Sequence, residues 1–428
     1  MKKSKLLLKT TMLLAVVLVG FIACNKDEEF QNEPATSADQ LVTSADQKGR
    51  FFNQANVIHY TKSQVRDMYL GLSIKGSGGG GAYQDGLALV NRVSNSGIDL
   101  YDVSTADNTK LYIVGAGVGS PAAVAQNIDG VLNAIEASVS TLANIKNKPI
   151  GGILSGESGS LNSMIAILLS QRLNVPLING DGSGRAVPLL SNSSYAHEAF
   201  GVAPMVVTAP ANPGSQINVS NPTDATDAET KIRNIISQPG YGNIGGVALW
   251  SQTGLQLKNS RIIRNTFSDA YQLGLATKST IATGNTSFLD NYFINNGSFI
   301  SSYTGTLSNF TETTVHGLDI VTLEVNINDG TGRTLKMQAL NEDLFLKISD
   351  GTVITAPHLM SYVIKDTNGK FVPYNNGDKA KMQSLVGKEI HIVCSYAARR
   401  LYDFSNTFLG ILNVPPFNYH GGVVPPAP

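Results

Sequence analysis

The sequence is poor in cysteine, tryptophan and charge. Its 428 residues include two Cys and one Trp, and 15% of them are charged. One cysteine, Cys24, follows a signal-like segment and is predicted below to carry lipid, which leaves Cys394 without a partner for an intrachain disulfide. Cys394 lies in an alternating, strand-like run, so we expect it to be a small buried hydrophobic residue. A hydrophobic content of 42% with little charge is typical of a globular body.

Long apolar runs, basic clusters and paired histidines are also missing. Beyond the N-terminus no segment is apolar enough to predict a membrane span. No basic stripe is present, so the sequence predicts no nucleic-acid partner. The six His are scattered without a His-x-x-x-His spacing, which gives a zinc site little support. A divalent metal held by carboxylates stays open as a cofactor.

Residues 1–23 are predicted to be a signal peptide. Four Lys and no acid precede an apolar run of about 12 residues, Met12–Ala23, whereas a membrane-spanning helix needs about 20. The run ends in Phe21-Ile-Ala-Cys24, which resembles a lipobox with Phe where Leu is usual. We therefore expect palmitate-type lipid on Cys24 and attachment to the outer membrane. A plain secretory signal with an incidental Cys24 is the alternative.

A polar segment follows the predicted lipid site. Asn25–Glu29 resembles the export tag of surface lipoproteins, which predicts exposure on the cell surface; a solvated tether is the alternative. Thr36–Gln40 repeats as Thr43–Gln47, a repeat too short to bury a core. Residues 24–50 are thus predicted to be a flexible tether. Without residues 1–23 the chain keeps 28 basic and 32 acidic residues, a net charge of about −4.

The remaining chain is predicted to form two domains. Residues 51–212 alternate strand-like runs, such as Ile150–Leu154, with helical ones, which predicts an α/β domain with a largely parallel sheet. Residues 213–420 contain β-branched or alternating runs separated by turn sequences, which predicts a mostly β domain. In parallel sheets ligands bind beyond the carboxyl ends of the strands, and the glycine-rich segments of the first domain fall at those ends.

Two glycine-rich segments are candidates for contact with a ligand. Gly76-Ser-Gly-Gly-Gly-Gly81 lets a ligand approach backbone amides, so Gly78, Gly79 and Gly80 are candidate substrate contacts; a flexible linker is the alternative. Gly115-Ala-Gly-Val-Gly119 lacks the spacing of a dinucleotide-binding turn. We predict a tight strand-to-helix turn at this second segment instead.

A third segment places polar groups at the start of a helix. Gly156-Glu-Ser-Gly-Ser160 resembles the nucleophile elbow of hydrolases but ends in Ser instead of Gly, so its serines are predicted to cap the helix. Glu157 and Asn162 are more informative, because a carboxylate at the end of a buried strand is costly unless it is paired or liganded. Glu157 is therefore a candidate for proton transfer.

The densest polar cluster is Asn179-Gly-Asp-Gly-Ser-Gly-Arg-Ala186. Asp181 could bind a metal or accept a proton, and Arg185 could hold a carboxylate or carbonyl group through its planar fork. An internal Asp181–Arg185 ion pair that shapes the loop is an equal alternative. In the second domain Asn341 and Glu342 place an amide and a carboxylate together after a strand.

These segments, in this order, resemble the S-methyl thiohydantoin desulfurase family, a hydantoinase-associated domain of unknown function. The specific part is the Asp-Gly-x-Gly-Arg-Ala segment at Asp181–Ala186. It lies within Pro176–Pro188, which follows the family pattern Pro-x-x-Asp-x-Asp-Gly-x-Gly-Arg-Ala-x-Pro except at its first Asp. Supporting matches are Gly76–Gly81, Gly119-Ser-Pro121, Glu157–Asn162 and Asn341-Glu342. The similarity extends from about residue 60 to 420. The resemblance implies an α/β domain followed by a β-rich one, and assembly into a homo-oligomer.

The resemblance also implies hydrolysis of small five-membered cyclic amides or thioamides. On that analogy Asp181 and Glu157 would handle protons or a metal, Arg185 would orient the substrate and His358 would assist catalysis. The chain departs from the family pattern at two carboxylates, because Asn179 and His358 stand where the family has Asp. Ile74-Lys75 stands where Gly-Cys usually precedes the glycines in the family. These departures make binding without turnover the alternative to hydrolysis.

Three hypotheses follow for the function. The first is a surface hydrolase for a hydantoin-like or thiohydantoin-like ring. The second is a lipoprotein that binds a small-molecule ligand in the same cleft without turning it over. The third is a structural or adhesive surface protein. Turnover and ligand binding measured on residues 25–428 distinguish the three.

Overall fold

The computed structural model describes residues 56–119, 121–315, 318–423 and 425. The predicted signal peptide, Cys24 and the predicted tether lie outside these residues. Within them, no helix is both long and apolar enough to cross a bilayer.

The first half of the described chain alternates strands and helices around an eight-stranded sheet. Its elements are β1 (Val57–Tyr60), α1 (Lys62–Lys75), α2 (Tyr83–Val90), β2 (Ile98–Tyr101), β3 (Leu111–Gly119), α3 (Pro121–Gln126), α4 (Ile128–Lys146), β4 (Ile150–Leu154), α5 (Ser160–Leu173), β5 (Leu177–Ile178), β6 (Gly180–Asp181), β7 (Met205–Thr208), β8 (Ile217–Ser220), α6 (Ala225–Ile236), β9 (Ile244–Thr253), α7 (Gly254–Asn259), β10 (Ile263–Arg264), α8 (Thr266–Thr283) and α9 (Ser287–Asn295). The strand order is β1-β2-β5-β4-β3-β9-β7-β8, and β6 pairs separately with β10.

Strand direction divides this sheet into a parallel centre and antiparallel edges. The four strands β2, β5, β4 and β3 run parallel, as expected for strands joined through helices. The pairs β1–β2, β3–β9, β9–β7 and β7–β8 are antiparallel. The predicted α/β class is therefore confirmed, with a mixed sheet. Of the two glycine-rich segments predicted at strand ends, Gly115–Gly119 lies at the carboxyl end of β3, whereas Gly76–Gly81 follows helix α1 and not a strand.

The second half forms an antiparallel sheet of eight strands, which confirms the predicted β-rich part. Its elements are β11 (Phe299–Val315), β12 (Leu318–Ile327), β13 (Thr334–Leu340), β14 (Glu342–Ile348), β15 (Val353–Thr355), β16 (Leu359–Lys365), β17 (Phe371–Val372), α10 (Lys379–Ser384), β18 (Glu389–Ser395) and α11 (Asn406–Leu412). The order is β15-β14-β13-β12-β11-β18-β16-β17. Cys394 is fully buried in β18, where the sequence predicted a small hydrophobic residue.

Two features differ from what the sequence predicts. Strand β9 follows the predicted boundary at 212/213 yet joins the first sheet; the boundary itself stays a prediction. Gly115–Gly119 is not a tight turn, because β3 continues through it while paired with β9. Small residues are needed there: a Cβ on Gly115 would lie 2.6 Å from Leu169 of α5. The chain turns only after Gly119, before α3.

Helix α1 leads directly into the first glycine-rich segment. Thr61 caps α1 in a capping box with Gln64, which fixes where the helix begins. The helix crosses α8 at a glycine contact, since a Cβ on Gly71 would lie 1.9 Å from the carbonyl oxygen of Ala270. The chain leaves α1 directly into Gly76–Gly81.

Candidate functional site

A cavity of about 540 Å³ lies where the carboxyl ends of β3 and β4 meet the turn between β13 and β14. This volume fits a small organic ligand. Most of its wall is apolar, and its polar groups include Glu157, Asn162, Asn341, Glu342 and Asn376. The predicted contacts Gly78, Gly79 and Gly80 also line it.

The glycine run is clamped between the two halves of the fold. Gly78 accepts a hydrogen bond from the N–H of Asn376 at 2.9 Å, and Gly80 accepts one from the N–H of Leu161 at 2.8 Å. Gly78 and Gly80 have φ values of +79° and +76°, which favour glycine. A Cβ on Gly79 would lie 2.4 Å from Oε1 of Glu342. The run is thus an ordered wall of the site, not a linker, and it lets Glu342 approach the backbone.

Glu157 is partly exposed at the end of β4, and both its carboxyl oxygens are held. The side-chain amide of Asn162 donates to Oε1, and the backbone N–H of Val187 donates to Oε2 at 2.7 Å. Burial raises its pKa to about 7, against the lowering effect of these two donors. Glu157 therefore changes protonation near neutral pH, which suits a general base.

Glu342 begins β14 and is 4% exposed. Its Oε2 makes no hydrogen bond to any of the described residues. Burial raises its pKa well above the usual range, and the Glu157 carboxylate raises it further, while Arg185 and the N–H of Gly80 act in the opposite direction. Burial thus favours the protonated form of Glu342, which suits a proton donor.

Behind this pair lie two more buried carboxyl groups. Asp343 accepts a hydrogen bond from the Asn376 side chain at 3.0 Å, and burial raises its pKa to about 8. Asp378 accepts from the N–H groups of Tyr83 and Gln84 at 2.9 and 3.2 Å, so it caps α2 from the other half of the fold. Burial raises the pKa of Asp378 to about 6.

Asp181 does not line this cavity. Its Oδ2 accepts a hydrogen bond from the Ser158 hydroxyl at 2.5 Å, and its Oδ1 accepts from the N–H groups of Ser183 and Gly184 at 2.8 and 2.5 Å. Burial raises its pKa, against the lowering effect of these donors. The carboxyl group is thus engaged in shaping its own loop. Its predicted catalytic role stays a prediction, and the geometry gives it a positioning role.

Arg185 is fully buried and also lies off the cavity. Its guanidinium donates to the carbonyl oxygens of Asp343, Pro357 and His358 at 2.8, 3.1 and 2.5 Å. It therefore ties the loop after β6 to the second sheet through backbone groups. The loop-shaping ion pair with Asp181 does not form either, because all these partners are carbonyl oxygens.

His358 and Asn179, the two departures from the family pattern, lie outside the cavity as well. The ring of His358 is buried, and its Nδ1 lies 2.9 Å from the Tyr402 hydroxyl. The side-chain oxygen of Asn179 accepts from the N–H groups of Phe267 and Ser268 at 3.2 and 3.3 Å, which caps α8. Neither change removes a carboxylate from the wall of the cavity.

The structure adds residues that the sequence did not single out. Trp250 of β9, Arg233 of α6 and Asn376 line the same cavity. Among the described residues, no group of three or more His, Cys, Asp or Glu side chains is arranged to hold a metal ion. The donor set therefore does not fit the divalent metal left open above, and we derive no metal-dependent step.

Comparison with known proteins identifies the family. Curated proteins give no match. A crystal structure of a protein from Chromobacterium violaceum has a TM-score of 0.68 at 21% identity, over 86% of this chain and 99% of that one, so it shares the fold. A model for the S-Me-THD-like N-terminal domain matches residues 63–217, and one for the S-Me-THD-like C-terminal domain matches residues 223–400. The chain therefore belongs to the S-Me-THD-like family, that of the S-methyl thiohydantoin desulfurases.

Proposed function

We propose that this protein binds a small, uncharged, five-membered cyclic amide or thioamide in the cavity and hydrolyses it. The observation that carries the proposal is the pair of carboxyl groups, Glu157 and Glu342, contributed by different sheets to one cavity wall. Burial raises the pKa of Glu157 to about 7 and that of Glu342 well above its usual range, and only Glu157 has hydrogen-bond donors on both carboxyl oxygens, which favours its ionised form. Two carboxyl groups whose pKa values are pushed apart are suited to act as a base and an acid.

The charges around the cavity favour an uncharged ligand. Arg233 is the only basic residue among the described residues of the wall, and it pairs with Glu229 at 2.7 Å. Asp319 pairs with Lys379 at 2.9 Å. Lys379 also pairs with Glu312, so this cluster keeps one net negative charge. The described part of the wall therefore offers no unpaired cation to an anionic ligand, and burial favours the protonated form of Glu342.

The reaction on an S-methyl thiohydantoin ring can be written with these two groups alone. Glu157 accepts a proton from water as the water oxygen bonds to the ring carbon that carries the methylthio group. Glu342 donates its proton to the ring nitrogen as the C=N bond becomes single. The intermediate collapses when its hydroxyl proton passes to Glu342 and the C–S bond breaks, with Glu157 protonating the leaving sulfur. One water is consumed, one methanethiol leaves, and both carboxyl groups return to their initial states.

The test is turnover by purified residues 25–428. S-methyl thiohydantoin is supplied and methanethiol is measured with a thiol reagent; ring opening of hydantoin is followed in parallel. Glu157→Gln and Glu342→Gln should each lower the rate about 100-fold or more. Glu136→Gln is the matched control, because Glu136 lies on α4 and pairs with Arg172 at 2.9 Å. Absence of turnover in the wild-type protein would overturn the proposal.

A ligand-binding protein without turnover is the second candidate. It is favoured by one observation: both oxygens of Glu157 already accept hydrogen bonds, from Asn162 and Val187, which reduces the basicity of that carboxylate. Thermal stabilisation by hydantoin without any product would support this candidate. Neither binding nor turnover would leave a structural or adhesive role.

We also propose that the protein works at the outer membrane, anchored by lipid on Cys24 and exposed on the cell surface. The support is the N-terminal order of lysines, short apolar run, lipobox-like sequence and acidic segment. Stable anchoring of this kind requires more than one acyl chain. Labelled palmitate should be incorporated into the wild-type chain and not into Cys24→Ala. Protease added to intact cells should degrade a surface-exposed chain.

A further inference from the structure

Trp250 is the only tryptophan of the chain, and its position is unusual. It lines the cavity and is 2% exposed, yet its indole Nε1–H donates no hydrogen bond to any of the described residues. Buried indole N–H groups normally find a partner, because leaving one unpaired is costly. A donor of this kind in a cavity wall points to a ligand that supplies the acceptor.

Trp250 has an unusual backbone conformation and lies in a β-bulge. Its φ is +48°, a left-handed conformation that non-glycine residues adopt at a cost and that clusters at functional sites. Pairing between β3 and β9 is Val114 with Leu249 and then Tyr112 with Gln252, so β9 carries an extra residue here. Such a bulge redirects a side chain, and the side chain it carries is that of Trp250.

Contacts through Tyr195 and Ser155 also fix the position of the indole relative to Glu157. The ring of Tyr195 packs on it with centroids 5.3 Å apart. The Tyr195 hydroxyl donates to the carbonyl oxygen of Ser155 at 3.0 Å, and the Ser155 hydroxyl donates to the carbonyl oxygen of Glu157 at 2.8 Å. A chain of contacts therefore fixes the indole relative to the proposed base.

We propose that Trp250 is a specificity-determining residue that donates its Nε1–H to a carbonyl oxygen of the bound ring. This inference rests on the proposed function and names its ligand more narrowly. The proposed reaction takes place at ring carbon 2, and the one carbonyl of an S-methyl thiohydantoin ring is at position 4, so that carbonyl is the acceptor. The ligand class is thus a planar ring with a carbonyl at that position, as in hydantoins, and not a cyclic urea that lacks it.

The test combines two ligands with two proteins, both made as residues 25–428. Affinities for hydantoin and for imidazolidin-2-one, which lacks the position-4 carbonyl, are measured by calorimetry on the wild type and on Trp250→Phe. This substitution keeps an aromatic ring and removes the N–H. Hydantoin should also change the emission of the single tryptophan in the wild type, while the far-UV circular dichroism of the variant should match that of the wild type.

The expected result is selective. Trp250→Phe should bind hydantoin about tenfold more weakly and imidazolidin-2-one with unchanged affinity. Equal affinity of both proteins for hydantoin, or an equal loss for both ligands, would overturn the role of the indole while leaving the proposed function standing. Absence of hydantoin binding by the wild type would instead refute the proposed function, and this inference with it.

Discussion

Replacement of Arg185 by Met tests whether this side chain holds the fold or the substrate. Arg185 is fully buried and donates to three carbonyl oxygens of the β-rich half, that of Asp343 in β14 and those of Pro357 and His358 between β15 and β16. Methionine matches much of its volume but donates nothing. Each buried polar group that loses its partner costs about 1–3 kcal/mol, so the three acceptors together predict a loss of at least about 3 kcal/mol.

A second effect adds to this loss. Arg185 opposes the rise in the pKa of Glu342 and of Asp343, and burial in turn lowers its own pKa to about 10. Without the cation these carboxyl groups stay protonated to higher pH. The free energy of unfolding of Arg185→Met should therefore fall more at pH 8 than at pH 6.

The assay is urea-induced unfolding of residues 25–428, followed by circular dichroism. Arg172→Met is the matched control, since Arg172 lies on α5 with its side chain 33% exposed and pairs with Glu136 at 2.9 Å. An exposed pair of this kind contributes about 0–1 kcal/mol. If Arg185→Met is as stable as this control but loses turnover, Arg185 orients the substrate, as the family resemblance implies, and the structural reasoning fails.

Three further predictions follow from the same contacts. Gly79→Ala should lower turnover about 100-fold, because the added Cβ would collide with Glu342. In the control Gly410→Ala the added Cβ meets no atom within 4 Å, so turnover should be unchanged. Equal rates for the two variants would contradict this role of the glycine run. The pKa of Asp343 rises from 3.8 to about 8 on folding, so the native state holds an extra proton between these values and loses stability as pH rises. Asp343→Asn should flatten that decline by at least about 1 kcal/mol in urea titrations from pH 5 to 8. Parallel plots of unfolding free energy against pH for the two proteins would argue against it. Cys24→Ala should move the protein from the membrane fraction to the soluble fraction of lysed cells, whereas unchanged membrane association would argue against the lipid anchor.

The sequence predicts the fold well where local pattern decides it. The strand-like run Ile150–Leu154 forms a strand with these bounds, because four of its five residues are buried. The longest strand, Phe299–Val315, was not predicted. It is rich in Ser and Thr instead of alternating apolar residues, so its pairing with β12 and β18 decides its conformation.

The candidate site was likewise predictable only in part from the sequence. Gly78–Gly80, Glu157 and Glu342 meet at one cavity because strand ends and turns bring them there. Asp181 has the residue type of a catalytic group, but Ser158 and the N–H groups of its own loop supply its hydrogen-bond donors, and sequence alone does not show this. Trp250 carries no motif, and a bulge of β9 that depends on pairing with β3 places it on the cavity wall.

The pH dependence of kcat/KM for methanethiol release tests the central claim most directly, because it reports the ionisation of the groups that act in the free enzyme. The wild-type rate should rise with pH through about 7, where Glu157 loses its proton. This rising limb should persist in Asp181→Asn and be absent from the residual activity of Glu157→Gln. A profile that is flat across pH 7, or a rising limb that survives in Glu157→Gln and disappears in Asp181→Asn, would contradict the assignment of Glu157 as the base.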